Sequence, residues 1–283
     1  MADYAIEYVD RGTDRLAVHV YPEPDHASGP AAVLLPAMGV PARYYRPFAA
    51  HLRAEGFGVA VADLRGTGDS TPPPRRRSRY GYPNLADDIG AVLDALGARF
   101  AGRTVLLVGH SLGGQVALLH LATAPAPSTV DGVVLVAVGL PYFRAYPGRW
   151  RQARVLQLTQ TVVATSAVLG VWPGWGFGGR QARGVIRDWG YSARHGRYPG
   201  GLDAALASMR TPVLAVTVEH DTYAPAGTTD VLVAKLTAAS VVRERYTAAQ
   251  AGTPVDHFRW VRASAGLAPR IAGFAARLDA TPR

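Results

Sequence analysis

Short runs of Val, Leu and Ala recur along the chain, each followed by a polar or glycine-bearing turn and then by apolar residues at helical spacing. This rhythm predicts parallel strands buried on both faces by crossover helices, an α/β fold. The strand-forming runs are Ala31 to Leu35, Gly58 to Ala62, Thr104 to Val108, Val133 to Val138 and Val213 to Val218, with Val241 to Tyr246 as the final one. Helices are expected over Tyr44 to Glu55, Asn84 to Leu96, Leu112 to Thr123, Thr228 to Ala238 and Phe258 to Leu278. Gly56 stands where a C-terminal glycine closes the first of them. Ahead of Ala31, alternating stretches around Ile6 to Val9 and Leu16 to Tyr21 flank the polar segment Asp10 to Asp14 and predict an antiparallel hairpin at a sheet edge. The expected architecture is a mostly parallel sheet of about eight strands flanked by helices.

From Leu140 to Arg210 the strand rhythm stops, and four of the five tryptophans, Trp150, Trp172, Trp175 and Trp189, gather there. Residues 140–210 are therefore expected to form a lid inserted into a core made of residues 1–139 and 211–283. Within the insertion, Pro173 to Gly179 holds too much glycine for a helix or strand and predicts a turn or a mobile link. The most apolar stretch, Thr161 to Trp172, falls short of the roughly 20 residues that span a bilayer, so no membrane span is expected. Thr and Ser rather than Lys or Arg interleave the apolar positions of Leu156 to Trp172, which favours a lid over a pocket rather than a helix lying on lipid.

A hydrophobic fraction of 48% against 18% charged residues suits a globular chain with a large core. The absence of cysteine excludes disulfides, thiolate chemistry and cysteine-based metal sites. No cofactor or metal is expected. The first ten residues carry acids and lack both a basic and an apolar signal region, so the expected location is the cytoplasm. The net charge of +9, from 30 basic and 21 acidic residues, raises the question of a polyanionic partner. Most of the excess is dispersed arginine, and no nucleic acid partner is expected. The exception is the proline-bearing loop Pro72 to Arg79, where Arg75, Arg76 and Arg77 read as a solvated loop or as an attractor for an anionic substrate or acidic carrier.

The strongest chemical signal is Gly109-His-Ser-Leu-Gly-Gly114, directly after one strand-forming run and directly before a helical pattern. A strand that turns abruptly into a helix strains the residue at the apex, and flanking glycines remove side chains that would collide there. Ser111 is thus the candidate nucleophile. The chain order nucleophile, acid, base then leads to Asp221, just beyond the run Val213 to Val218, and to His257, in a loop after the last strand. Glu219 competes as the acid but lies closer to the strand end. Among the other histidines, His110 belongs to the elbow, His220 adjoins the acid, His195 lies in the insertion, and His19, His26, His51 and His120 lie elsewhere. The oxyanion donors are expected to be the N–H of Leu112 and that of Met38, or alternatively Ala37, in the small-residue loop Pro36 to Gly39.

With these residues placed, the chain resembles the α/β-hydrolase superfamily from Pro36-Ala-Met-Gly39, through Asp63-Leu-Arg-Gly-Thr-Gly-Asp-Ser70 and the elbow, to His257. Within it the chain is similar to the bacterial serine aminopeptidase or monoglyceride-lipase-like branch. The resemblance implies an α/β-hydrolase fold with a helical cap inserted after the sixth strand. Many relatives carry His-Gly where this chain has Pro36-Ala37, and Gly where Asp256 precedes His257. The expected activity is cleavage of a carboxylic ester or thioester of small to medium apolar acyl character through an acyl-enzyme, with Tyr142, Trp172, Trp175 and Trp189 as candidates for the pocket wall. Alternatives are transfer of the same acyl group to an alcohol, amine or internal hydroxyl, as in a biosynthetic acyltransferase or cyclase, and ligand binding without catalysis.

Overall fold

The computed structural model describes residues 3–24, 29–124 and 128–280; His26 lies outside them. One 8-stranded sheet organises the chain: β1 (Ala5–Arg11), β2 (Asp14–Val20), β3 (Ala31–Leu35), β4 (Gly58–Ala62), β5 (Val105–His110), β6 (Gly132–Val136), β7 (Val213–Val218) and β8 (Val241–Tyr246). Their spatial order is β1-β2-β4-β3-β5-β6-β7-β8. The β1–β2 hairpin and the β2–β4 pair are antiparallel, and every other pairing is parallel.

The four central strands are buried along their whole length, because helices cover both faces. Pleating sends alternate side chains to opposite sides, so Val33 and Leu35 join one core while Ala32 and Leu34 join the other. The first core lies against α2 (Tyr82–Leu96) and α3 (Leu112–Thr123), with α7 (Ala226–Val233) alongside. The second packs on α1 (Arg46–Ala54) and α8 (Ala268–Asp279). Between β6 and β7 the chain adds α4 (Arg149–Leu169), a two-residue ribbon of Val171–Trp172 with Gln181–Ala182, α5 (Arg183–His195) and α6 (Leu202–Ser208). Buried Asp188 of α5 accepts the N–H of Tyr82 at 2.9 Å, capping α2 and tying this insertion to the core. Among the described residues, no helix is long and apolar enough to cross a membrane.

Three helical expectations shift, each for a backbone reason. The single helix expected over Phe258 to Leu278 is instead a 3-10 turn at Arg259–Val261 followed by α8 from Ala268. Pro269 has no N–H to continue an incoming helix but fits the first turn of a new one. Pro47 divides the first expected helix in the same way, into a 3-10 turn at Ala42–Tyr45 and α1. The helix expected over Thr228 to Ala238 begins earlier, after Pro225, and ends at Val233. Strand β6 stops at Val136 because Ala137 takes a positive φ of 54° and turns the chain toward the insertion.

Candidate active site

The elbow forms where β5 runs into α3. Ser111 sits between them at φ 51° and ψ −118°, a strained conformation for a residue with a side chain. The glycines around it are there for close approach rather than flexibility. A Cβ on Gly109 would stand 2.2 Å from Gly114 Cα, and one on Gly113 would stand 2.1 Å from the Leu35 carbonyl oxygen. The first turn of α3 therefore rests directly on the end of β3 and brings the Leu112 N–H, unused by the helix at this position, beside the loop Pro36 to Gly39.

That loop is held from below by a buried relay. Tyr45 Oη accepts the N–H of Ala37 at 2.8 Å and lies 2.7 Å from His110 Nδ1. Burial pushes the Tyr45 phenol well above its usual range, so it remains protonated and donates its one hydrogen to His110. Burial, with His257 beside it, lowers His110 well below the ordinary imidazole value. His110 is thus neutral in the folded protein, while an unfolded chain protonates it near pH 6.5. The stability linked to this difference is complete above that pH and is lost as pH falls through it, at up to about 1.4 kcal/mol per pH unit. His110→Asn is expected to lose less stability than the wild type between pH 7 and pH 5 in urea titrations; equal losses would contradict a buried neutral imidazole.

The loop after β7 carries the candidate acid. Asp221 Oδ1 accepts the N–H groups of Tyr223 and Ala224 at 2.8 and 2.7 Å, and Oδ2 lies 2.8 Å from His257 Nδ1. Both side chains are buried, and the Tyr223 ring stacks on His257 with centroids 5.1 Å apart. The Tyr146 hydroxyl donates to the Tyr223 carbonyl at 2.7 Å, so the insertion also braces this loop. Glu219 points elsewhere: it accepts the N–H of Ala248 at 2.7 Å, which holds its carboxyl below the usual range, and it pairs with Arg245.

Ser111, Leu112, Ala37, Met38 and His257 share the wall of one cavity of about 950 Å³, roofed by α4 and the Gly174 to Gly179 segment. Of the four aromatic residues expected in that wall, Trp189 lines it. The others do not: Trp172 is buried and donates its Nε1–H to the Phe177 carbonyl, Trp175 is 68% exposed, and Tyr142 packs against Phe143. Wall residues that composition left unmarked include Phe177, Phe258, Tyr223, Arg151 and Arg154. Arg75, Arg76 and Arg77 are exposed and lie outside the lining.

A metal-compatible cluster exists apart from this cavity. His19, Asp63 and Asp69 bring ligand atoms within 4.8 Å of one another. Asp63 accepts the N–H groups of Ala42 and Asp69, and His19 Nε2 bonds Asp69 at 3.0 Å. The cluster braces β2 against the loop after β4.

Residues 30–255 match the serine aminopeptidase S33 family. The chain belongs to this family of α/β hydrolases. An uncharacterized protein of Mycobacterium tuberculosis is 36% identical over 112 residues, which is 40% of this chain and 30% of that protein. Protein phosphatase methylesterase 1 of Candida albicans is 28% identical over 88 residues, 31% of this chain and 23% of that one. The chain thus spans about a third or less of the curated relatives it matches. Among solved structures, the thioesterase domain from the curacin biosynthetic pathway aligns over 96% of this chain and 99% of its own, at TM-score 0.61 and 17% identity. Est1E from Butyrivibrio proteoclasticus, solved with ferulic acid, aligns over 97% and 100%, at TM-score 0.67 and 14% identity. At such identities these likenesses speak for the fold.

Proposed function

We propose that the protein is a serine hydrolase that cleaves a carboxylic ester or thioester through an acyl-enzyme on Ser111. The observation that carries this reading is the 2.8 Å bond from His257 Nδ1 to Asp221, on the wall of the same cavity that holds the strained Ser111. Asp221 keeps the Nδ1 proton in place, which leaves Nε2 unprotonated and able to accept the Ser111 proton as Oγ attacks the carbonyl carbon. The tetrahedral oxyanion is stabilised by the N–H of Leu112 and that of Met38, because the N–H of Ala37 is already committed to Tyr45. His257 then returns the proton to the departing alkoxide or thiolate, and water activated by the same imidazole releases the acid. Residues 140–210 act as the cap that closes this cavity.

The test is product analysis with p-nitrophenyl butyrate in the presence of added alcohols and amines. Release of butyrate as the main product is expected. A main product acylated on the added acceptor would make the enzyme a transferase, and no nitrophenolate release from a panel of chain lengths and thioesters would overturn the acyl-enzyme reading.

A further inference from the structure

The cavity-facing side of α4 has a polarity gradient. Arg151, Arg154, Val155, Leu158 and Thr159 line the cavity, at the spacing that places side chains on one helix face. The cations occupy one end of this stripe, and Leu158 lies about 6 Å beyond Arg154 and about 10 Å beyond Arg151 along the axis. No carboxylate is part of the lining. The Arg151 guanidinium donates to the Thr222 carbonyl at 2.7 Å, which pins it to the loop carrying Asp221 and thus beside the His257 end of the cavity. Arg154 is exposed and has no hydrogen bond, ion pair or ring partner among the described residues. The first turn of α4, which carries Arg151, contains no acid, and the helix dipole there favours an anion. An unpaired arginine on the wall of an otherwise acid-free, largely apolar cavity is a recognition element in search of an anion.

We infer that the substrate is amphiphilic, an acyl ester or thioester bearing a carboxylate or phosphate group that Arg154 holds while its apolar part lies along Val155 and Leu158. This rests on the acyl-enzyme reading above for the reaction, but not for the binding. The exposed loop of Arg75, Arg76 and Arg77 is not the anion site, since it stands outside the cavity. Two sources of the charge are distinguishable: an acid on the acyl part, or a phosphate on the leaving group.

The experiment is equilibrium binding by calorimetry to the Ser111→Ala protein, so that substrates are not consumed. One pair is mono-p-nitrophenyl glutarate against p-nitrophenyl butyrate; the other is butyryl-coenzyme A against butyryl-N-acetylcysteamine. In at least one pair the anionic member is expected to bind about tenfold more tightly at low salt, with the gap closing as salt rises. Adding Arg154→Gln should abolish the gap without weakening the neutral member, Arg154→Lys should restore part of it, and changing Arg75, Arg76 and Arg77 to Ser should leave it intact. Equal binding within both pairs, or a gap that survives Arg154→Gln, would overturn the inference. Because turnover plays no part in this measurement, failure of the acyl-enzyme reading would show separately in the nitrophenyl ester assay.

Discussion

Ser111→Ala is expected to lower kcat for ester cleavage by roughly 10⁴- to 10⁶-fold while leaving the folded protein intact. On the proposed mechanism the large kinetic effect follows from removing the atom that receives the acyl group; what remains is the contribution of binding and the proposed oxyanion donors. The small structural effect follows from the elbow. The Ser111 hydroxyl caps no helix, and the strain at φ 51° belongs to the backbone, which alanine retains. Unfolding free energies of the two proteins from urea titrations should therefore agree within about 0.5 kcal/mol. A variant that keeps more than a hundredth of wild-type turnover would remove Ser111 from the reaction, and one that fails to fold would show the hydroxyl to be structural.

Asp221→Asn is expected to cost roughly 10⁴-fold in kcat, with little change in stability. The size follows from how the carboxylate is held. Oδ1 is fixed by two backbone N–H groups, from Tyr223 and Ala224, so an asparagine must place its carbonyl oxygen there. Its amide NH₂ then faces His257 Nδ1, which becomes an acceptor and drives the imidazole proton to Nε2. That nitrogen can no longer take the Ser111 proton. Asp221→Ala lacks the misdirecting donor but loses the orientation, so it should also be slow. Glu219→Gln, at a carboxylate committed to Ala248 and Arg245, should change turnover less than threefold; a reversed order would move the acid to Glu219.

The parts of this protein that can be read from its residues are those where a local steric demand leaves a mark. The elbow is legible because β5 and α3 can meet at Ser111 only if Gly109 and Gly113 lack side chains. The central strands are legible because burial on both faces requires unbroken apolar runs. Chain order points to Asp221 and His257 as candidates, and the two side chains share a hydrogen bond. Contacts between distant segments leave no such mark. The relay from Ala37 through Tyr45 to His110 joins residues 65 positions apart, and nothing in the local sequence around Tyr45 signals it. Aromatic content alone did not distinguish Trp189, which faces the cavity, from Trp172, which is buried behind it, or Trp175, which faces solvent. Arg151, Arg154, Val155 and Leu158 carry no local mark either, because their place on the cavity wall depends on where α4 lies, and tertiary packing sets that.

The measurement closest to the central claim is active-site labelling. The native protein, treated with a fluorophosphonate and digested, should carry one phosphonyl adduct on the peptide containing Ser111, with loss of ester turnover in proportion to labelling. The Ser111→Ala protein should carry none, and Asp221→Asn should label far more slowly. An adduct on another serine, or a native Ser111 that stays unmodified while esterase activity persists, would contradict the account.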